Sequence, residues 1–161
     1  MRHAFLAVWL AIVSAVAALA QTATATMAVT LNSVARVSFS TLTVAFPDAN
    51  PDAVPQVAAV PASIDISAKA RAPRNAQVTL TLQSEDDLRS GITVLPASLI
   101  TWTATGAGFV GGTVSPAAAQ LVGSWTGSGV RSGTQSFRFE NRWTHPSGTY
   151  TLTLVYTLSA P

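Results

Sequence analysis

The feature that most constrains this chain is an alternation of apolar and hydroxyl residues that recurs in segment after segment. Its cleanest instance is residues 149–158, where Tyr and Leu occupy every second position and Thr or Val the positions between. Successive side chains of a β-strand point to opposite faces of a sheet, so this pattern predicts a strand that buries one face. The sequence after residue 20 lacks helical periodicity. We therefore expect an all-β fold.

Three other segments, residues 63–70, 77–83 and 135–143, show the same period of two. The side chains predicted to face the core in these strands are Ile64, Ile66, Val78, Leu80, Leu82, Phe137, Phe139 and Trp143. The sequence His-Pro-Ser-Gly at residues 145–148 predicts a turn, so we expect residues 135–143 and 149–158 to pair as a hairpin.

The remaining segments complete the expected architecture. Apolar residues alternate over residues 35–39 and resume over residues 42–46 in the opposite phase, which predicts a bend or bulge near Ser40. Residues 47–61 have the composition of a surface loop, and residues 106–119 have that of a second flexible stretch. Seven to nine strands result, and we expect them to form an immunoglobulin-like, two-sheet antiparallel β-sandwich.

The N-terminus has the pattern of an export signal. Arg2 precedes an apolar run over residues 4–20, which ends in the small-x-small sequence Ala18-Leu19-Ala20. We predict a signal peptide over residues 1–20 and a single domain over residues 21–161, secreted to the periplasm, the cell surface or the medium. An uncleaved membrane anchor is the alternative for the apolar run. We expect no transmembrane span after signal cleavage.

Composition excludes several classes of function. Charged residues make up 10% of the chain and the formal net charge is +2. Because nucleic-acid binding relies on clustered Lys and Arg, we expect no nucleic-acid partner. The chain has no cysteine, which eliminates disulfides, thiol nucleophiles and Cys-based zinc sites. The domain must therefore hold together by packing.

Residues suited to catalysis are scarce. His145 is the single histidine after residue 20 and lies in the predicted turn, whereas acid–base catalysis by histidine needs a carboxylate or nucleophile beside it. The serines lack a nucleophile-elbow motif, and the glycine-rich stretches lack the Gly-Lys-Ser/Thr ending of a phosphate-binding loop. We expect a non-enzymatic protein without a cofactor.

One loop places oxygen ligands at alternate positions, as calcium loops do. Its candidate calcium ligands are Asp48, Asn50 and Asp52. Ala53 and Ala59 stand where a calcium loop would have its glycine and its distal glutamate.

Tryptophans are the candidate ligand contacts. Alternation predicts that Trp102 and Trp143 fill the core with the aromatic and aliphatic residues on their faces. Trp125 lies in a Gly- and Ser-rich strand that leaves its orientation open. It is therefore the aromatic residue singled out for ligand contact.

The last segment, Gly-Thr-Tyr-Thr-Leu-Thr-Leu-Val-Tyr-Thr-Leu-Ser-Ala-Pro over residues 148–161, resembles the closing strand of exported bacterial β-sandwich surface proteins. These include WxL cell-wall-binding domains, spore-coat-U-like proteins and alternate-chaperone fimbrial subunits. Tyr156 stands where a WxL domain would have Trp. The resemblance covers mainly the last third of the chain and implies a surface protein, with pilin-like assembly by β-strand addition as one form.

The stretch over residues 22–31 has the alternation that strand addition requires. The candidate strand-exchange residues are Ala23, Ala25, Met27, Val29 and Leu31. The same pattern suits an ordinary first strand of the chain's own domain, which is the favoured interpretation of this segment.

Two functional hypotheses follow. The first is a structural or adhesive component of the bacterial cell surface, whose partners are further copies of itself or other surface proteins. The alternative is a monomeric secreted module that binds a glycan or a cell-wall ligand through Trp125.

Overall fold

The computed structural model of the chain describes residues 26–161, so the predicted signal peptide, Ala23 and Ala25 lie outside the described residues. The compact unit is Leu31–Pro161. The described residues are mostly β, as expected, with a single three-residue 3-10 helix, Ala97–Leu99. The strands are β1 (Val34–Phe39), β2 (Gln56–Ala58), β3 (Ile64–Arg71), β4 (Gln77–Ser84), β5 (Leu88–Ser90), β6 (Thr93–Leu95), β7 (Ile100–Thr105), β8 (Gly112–Thr113), β9 (Gln120–Thr126), β10 (Gly129–Glu140) and β11 (Leu154–Ser159).

The strands form three antiparallel sheets. The large sheet has the order β1-β3-β10-β7-β8, with β2 beside β10, and the small sheet has the order β11-β4-β9. Strands β5 and β6 pair separately. Four of the eleven strands have only two or three residues, namely β2, β5, β6 and β8.

The predicted inward faces of β3 and β4 are confirmed. Ile64 and Ile66 of β3, together with Val78, Leu80 and Leu82 of β4, are all 5% exposed or less. They belong to one hydrophobic core that also includes Trp102 of β7 and Phe137 of β10. The large and small sheets therefore bury their alternate side chains in a common core, without any disulfide.

The predicted hairpin between residues 135–143 and 149–158 is wrong. Strand β10 pairs with β3 and β2 along one edge and with β7 along the other, whereas β11 pairs with β4 in the small sheet. Both edges of β10 are occupied, so β11 cannot add to it. The chain after Glu140 instead passes from the large sheet to the small one.

The predicted bend near Ser40 is confirmed, because β1 ends at Phe39 and the chain bends at Ser40 before Val44 and Phe46 pack against the core. The surface loop predicted for residues 47–61 is wrong in part. It contains β2, which pairs with β10 and buries Val57 to 4% exposure.

One polar pair crosses the core from the large sheet to the small one. The Tyr156 hydroxyl of β11 donates a hydrogen bond to Oε1 of Gln135 in β10, at 2.6 Å. The Gln135 side chain is 0% exposed, and its Nε2 has no hydrogen-bond partner. Burial raises the pKa of Tyr156 above its ordinary value, so the phenol remains a donor.

We predict that Leu80→Ala lowers the free energy of unfolding by about 2–5 kcal/mol, because it opens a cavity in the shared core. Urea denaturation of residues 21–161 measures the change. The matched control is Leu42→Ala, at a side chain that is 89% exposed, which should stay within about 0.5 kcal/mol of the wild type. Equal effects of the two variants would contradict this core assignment.

We also predict a specific loss of stability at alkaline pH. The unfolded chain releases the Tyr156 proton near pH 10.0, whereas the native state retains it, so the free energy of unfolding falls as pH rises through that value. The slope approaches about 1.4 kcal/mol per pH unit and vanishes below pH 10.0, where both states are protonated. Urea denaturation on both sides of pH 10.0 should show the slope in the wild type and in Tyr150→Phe, and a smaller slope in Tyr156→Phe. Identical slopes in all three proteins would refute the link to Tyr156.

Candidate functional site

The large and small sheets each end in a strand with one unpaired edge. Within residues 26–161, β1 pairs only with β3, and β11 pairs only with β4. The two strands lie side by side, since the Phe39 and Tyr156 ring centroids are 4.6 Å apart and the Ser33 hydroxyl donates to the Pro161 carbonyl at 2.8 Å. These two contacts show that β1 and β11 run in opposite directions. We call these two neighbouring free edges the open seam.

The other side of the two sheets is closed by backbone hydrogen bonds. The Val110 N–H donates to the Val122 carbonyl, and the Ser124 N–H donates to the Gly108 carbonyl, both at 2.9 Å. Gly108 has a φ of +84°, and a Cβ there would collide with the Trp125 ring. The segment before β8 thus covers the outer edge of β9, and no equivalent segment within residues 26–161 covers β1 or β11.

Apolar side chains that line the open seam are only half-buried. They are Val37 and Phe39 of β1, and Leu154, Tyr156 and Leu158 of β11. On the neighbouring strands, Ile66 is 1% exposed and Leu80 and Leu82 are 0% exposed. Burial is therefore incomplete where the pairing of strands stops. Free strand edges of this kind are templates for an added strand.

An unpaired amide lies behind the seam. Tyr156 contacts Phe39 across the seam and donates a hydrogen bond to the buried Gln135. The Nε2 of Gln135 lacks a hydrogen-bond partner. A buried donor without an acceptor costs about 1–3 kcal/mol. Gln135 is not among the core residues predicted from the sequence. Its position in the same phase as Phe137 and Phe139 was the available signal.

The candidate strand-exchange segment forms no strand where the structure describes it. Residues 26–33 have no regular secondary structure, and the exposures of Met27, Val29 and Leu31 are 89%, 81% and 67%. The favoured interpretation as an ordinary first strand is therefore wrong for residues 26–31, since β1 begins at Val34. Ala23 and Ala25 lie outside the described residues.

Two tryptophans differ from expectation: Trp125, the candidate ligand contact, is buried, and Trp143, expected in the core, is exposed. Trp125 is 8% exposed, packs edge-on against Phe109 and donates its indole N–H to the Ala107 carbonyl. It therefore has no free face for a ligand in this fold. The core position of Trp102 is confirmed at 3% exposure.

Trp143 is 69% exposed, so its predicted core position is wrong. Strand β10 ends at Glu140, and the alternation that placed Trp143 inward does not extend past that residue. The indole N–H of Trp143 donates to Oδ1 of Asp52 at 3.0 Å.

Two of the three candidate calcium ligands accept hydrogen bonds from the protein. Oδ1 of Asn50 accepts the Asp52 N–H at 2.9 Å, and Oδ1 of Asp52 accepts the Trp143 indole. Asp48 lies on the same loop and is exposed. Within residues 26–161, no group of three or more His, Asp or Glu side chains is arranged to hold a metal ion.

A shallow depression of about 510 Å³ crosses the large sheet beside β1. Most of its lining side chains are small and hydroxyl-bearing, with the Asp65 carboxylate as the charged member. Several of these hydroxyls already bond within the protein, such as Thr105 to Thr134 at 2.6 Å.

His145 lies in the predicted turn, is half-buried and packs its ring on Phe139.

The part of the chain that the structure describes contains no helix long and apolar enough to cross a membrane. Comparison of the chain with protein-family models, with curated proteins and with solved structures finds no match.

Proposed function

We propose that this chain is an exported, non-enzymatic structural or adhesive subunit of the bacterial cell surface that assembles by β-strand addition. In this proposal the large and small sheets form an immunoglobulin-like sandwich that lacks one strand at the open seam. The observation that carries the proposal is the pair of unpaired edges of β1 and β11, with half-buried apolar side chains between them.

An added strand suits the seam for two physical reasons. Its main chain would pair with the free N–H and C=O groups of an edge strand, and its alternate side chains would cover Val37, Phe39 and Tyr156. Complete burial of such side chains stabilises by about 25 cal/mol per Å² of apolar area removed from water. In the absence of an added strand, these main-chain hydrogen bonds and side-chain contacts are not formed.

The segment over residues 22–31 of a second copy is the proposed donor. Strands β1 and β11 have six residues each, so the seam is about 20 Å long at about 3.3 Å per residue. The five alternating apolar positions from Ala23 to Leu31 exceed that length when extended. Met27 and Val29 are exposed, so they have apolar surface to bury in a partner.

In this structure the chain does not fold back onto its own seam through a hairpin turn at Asn32 and Ser33. Only these two residues separate Leu31 from β1. A two-residue hairpin turn needs a positive φ, and no non-glycine residue in the described part of the chain has one. A neighbouring molecule is therefore the proposed source of the strand.

The first test removes the proposed donor. We expect residues 21–161 to elute as a series of oligomers in size-exclusion chromatography and to form filaments in negative-stain microscopy. Residues 32–161 should remain folded monomers. Circular dichroism checks that the shorter chain is folded. A compact monomer of residues 21–161 that unfolds on truncation would refute strand exchange and make the segment an internal strand.

A sharper test uses the alternation within the donor. We expect Val29→Asp to reduce assembly at least tenfold, because it would place an unpaired carboxylate among the apolar side chains of the seam. The matched control is Ala28→Asp, which carries the same charge on the opposite face of the donor and should assemble like the wild type. Light scattering coupled to size-exclusion chromatography measures both. Equal loss in the two variants would show that charge alone, without a strand register, governs assembly.

A further inference from the structure

Trp143 forms an exposed aromatic platform on the segment that connects the two sheets. Trp143 is 69% exposed, and its ring takes part in none of the aromatic pairs among the described residues. The indole N–H is satisfied by Oδ1 of Asp52 at 3.0 Å. The bond holds the ring by its polar edge, while most of the residue stays exposed to solvent or a ligand.

The loop that carries Asp52 is braced to the same segment. Asn141 donates its side-chain amide to the carbonyls of Ala49 and Val54, at 2.9 and 3.3 Å, and its backbone N–H to the Pro55 carbonyl at 2.9 Å. Within the loop, Asn50 accepts the Asp52 N–H. These hydrogen bonds hold the loop with Asp52 to the segment with Trp143. Because the two side chains are already ordered, binding a ligand there costs less conformational entropy.

We infer that Trp143 and Asp52 form a binding site for a sugar ring of a neutral glycan. The apolar C–H face of a pyranose stacks on an indole face, and its hydroxyls donate hydrogen bonds to a neighbouring carboxylate. Asp52 accepts from Trp143 through Oδ1, and its Oδ2 has no protein partner within residues 26–161. Arg142, the nearest cation in sequence, is paired with Glu140.

The chemistry of the site favours a sugar over other ligands of aromatic surfaces. A quaternary ammonium ion is held by a cage of several aromatic rings, whereas Trp143 offers a single ring. An acidic ligand would face the Asp52 carboxylate. A neutral, hydroxyl-rich sugar ring needs no aromatic cage and is not repelled by the Asp52 carboxylate.

Trp143 and Asp52 are not among the residues of the open seam, so the site can be tested separately from strand addition. The test uses residues 21–161 titrated with cellohexaose, chitohexaose and maltohexaose by calorimetry and ligand-observed NMR. Trp143 is the exposed member of the tryptophans at 102, 125 and 143, so saccharide binding should also change the tryptophan fluorescence of the wild type.

We expect at least one of the three saccharides to bind the wild type and Trp143→Ala to weaken that binding at least tenfold. Asp52→Asn keeps an acceptor for the indole but loses the charge, and should weaken binding severalfold. Ile92→Ala, at a fully exposed side chain elsewhere, should leave binding unchanged. Unaltered thermal unfolding of Trp143→Ala would show that the fold is intact.

Failure of all three saccharides to bind would overturn the inference, as would binding that survives Trp143→Ala. Binding of tetramethylammonium without any saccharide would assign the ring to a cation instead. Loss of assembly without loss of saccharide binding, in the Val29→Asp variant, would separate this site from the seam.

Discussion

The pairing of strand edges is the constraint on which the rest of this structure depends. Backbone donors and acceptors along each edge need partners in the protein or in water. On one side, the residues before β8 supply those partners to β9. At the open seam, β1 and β11 have none within residues 26–161, and the apolar side chains between them stay half-covered. The free edges of β1 and β11 thus coincide with the incomplete burial of the side chains beside them.

Local patterns predicted the faces of the strands but not their neighbours. The inward side chains of β3 and β4 follow from a period of two, which each strand carries in its own sequence. Pairing is a property of the whole fold, so the turn signal at residues 145–148 suggested a hairpin that does not exist. Three other strands occupy the edges of β10, and no pattern within residues 135–158 reports their presence.

The candidate site was predictable in part, for the same reason. Alternation in the last segment predicts that Tyr156 faces the core. Gln135 lies in phase with Phe137, but hydropathy does not single out an amide as a core residue. Trp143 was misplaced because the end of β10 leaves no clear mark in the sequence. Trp125 is buried because Gly108 and Gly123 leave room for its ring, and a Cβ at either position would collide with it. Gly123 lies two residues before Trp125 and so shares its face of the strand.

The open seam and the exposed segment before β1 are different surfaces of one molecule. An interface between unlike surfaces is heterologous, and unless its rotation closes into a ring it generates an open chain of subunits. Under strand addition, every such chain would end in one molecule with an empty seam and another with an unused segment. The two ends would therefore differ chemically, and a cell could anchor one of them while subunits join at the other. Directional growth from a surface would then be a property of the subunit itself.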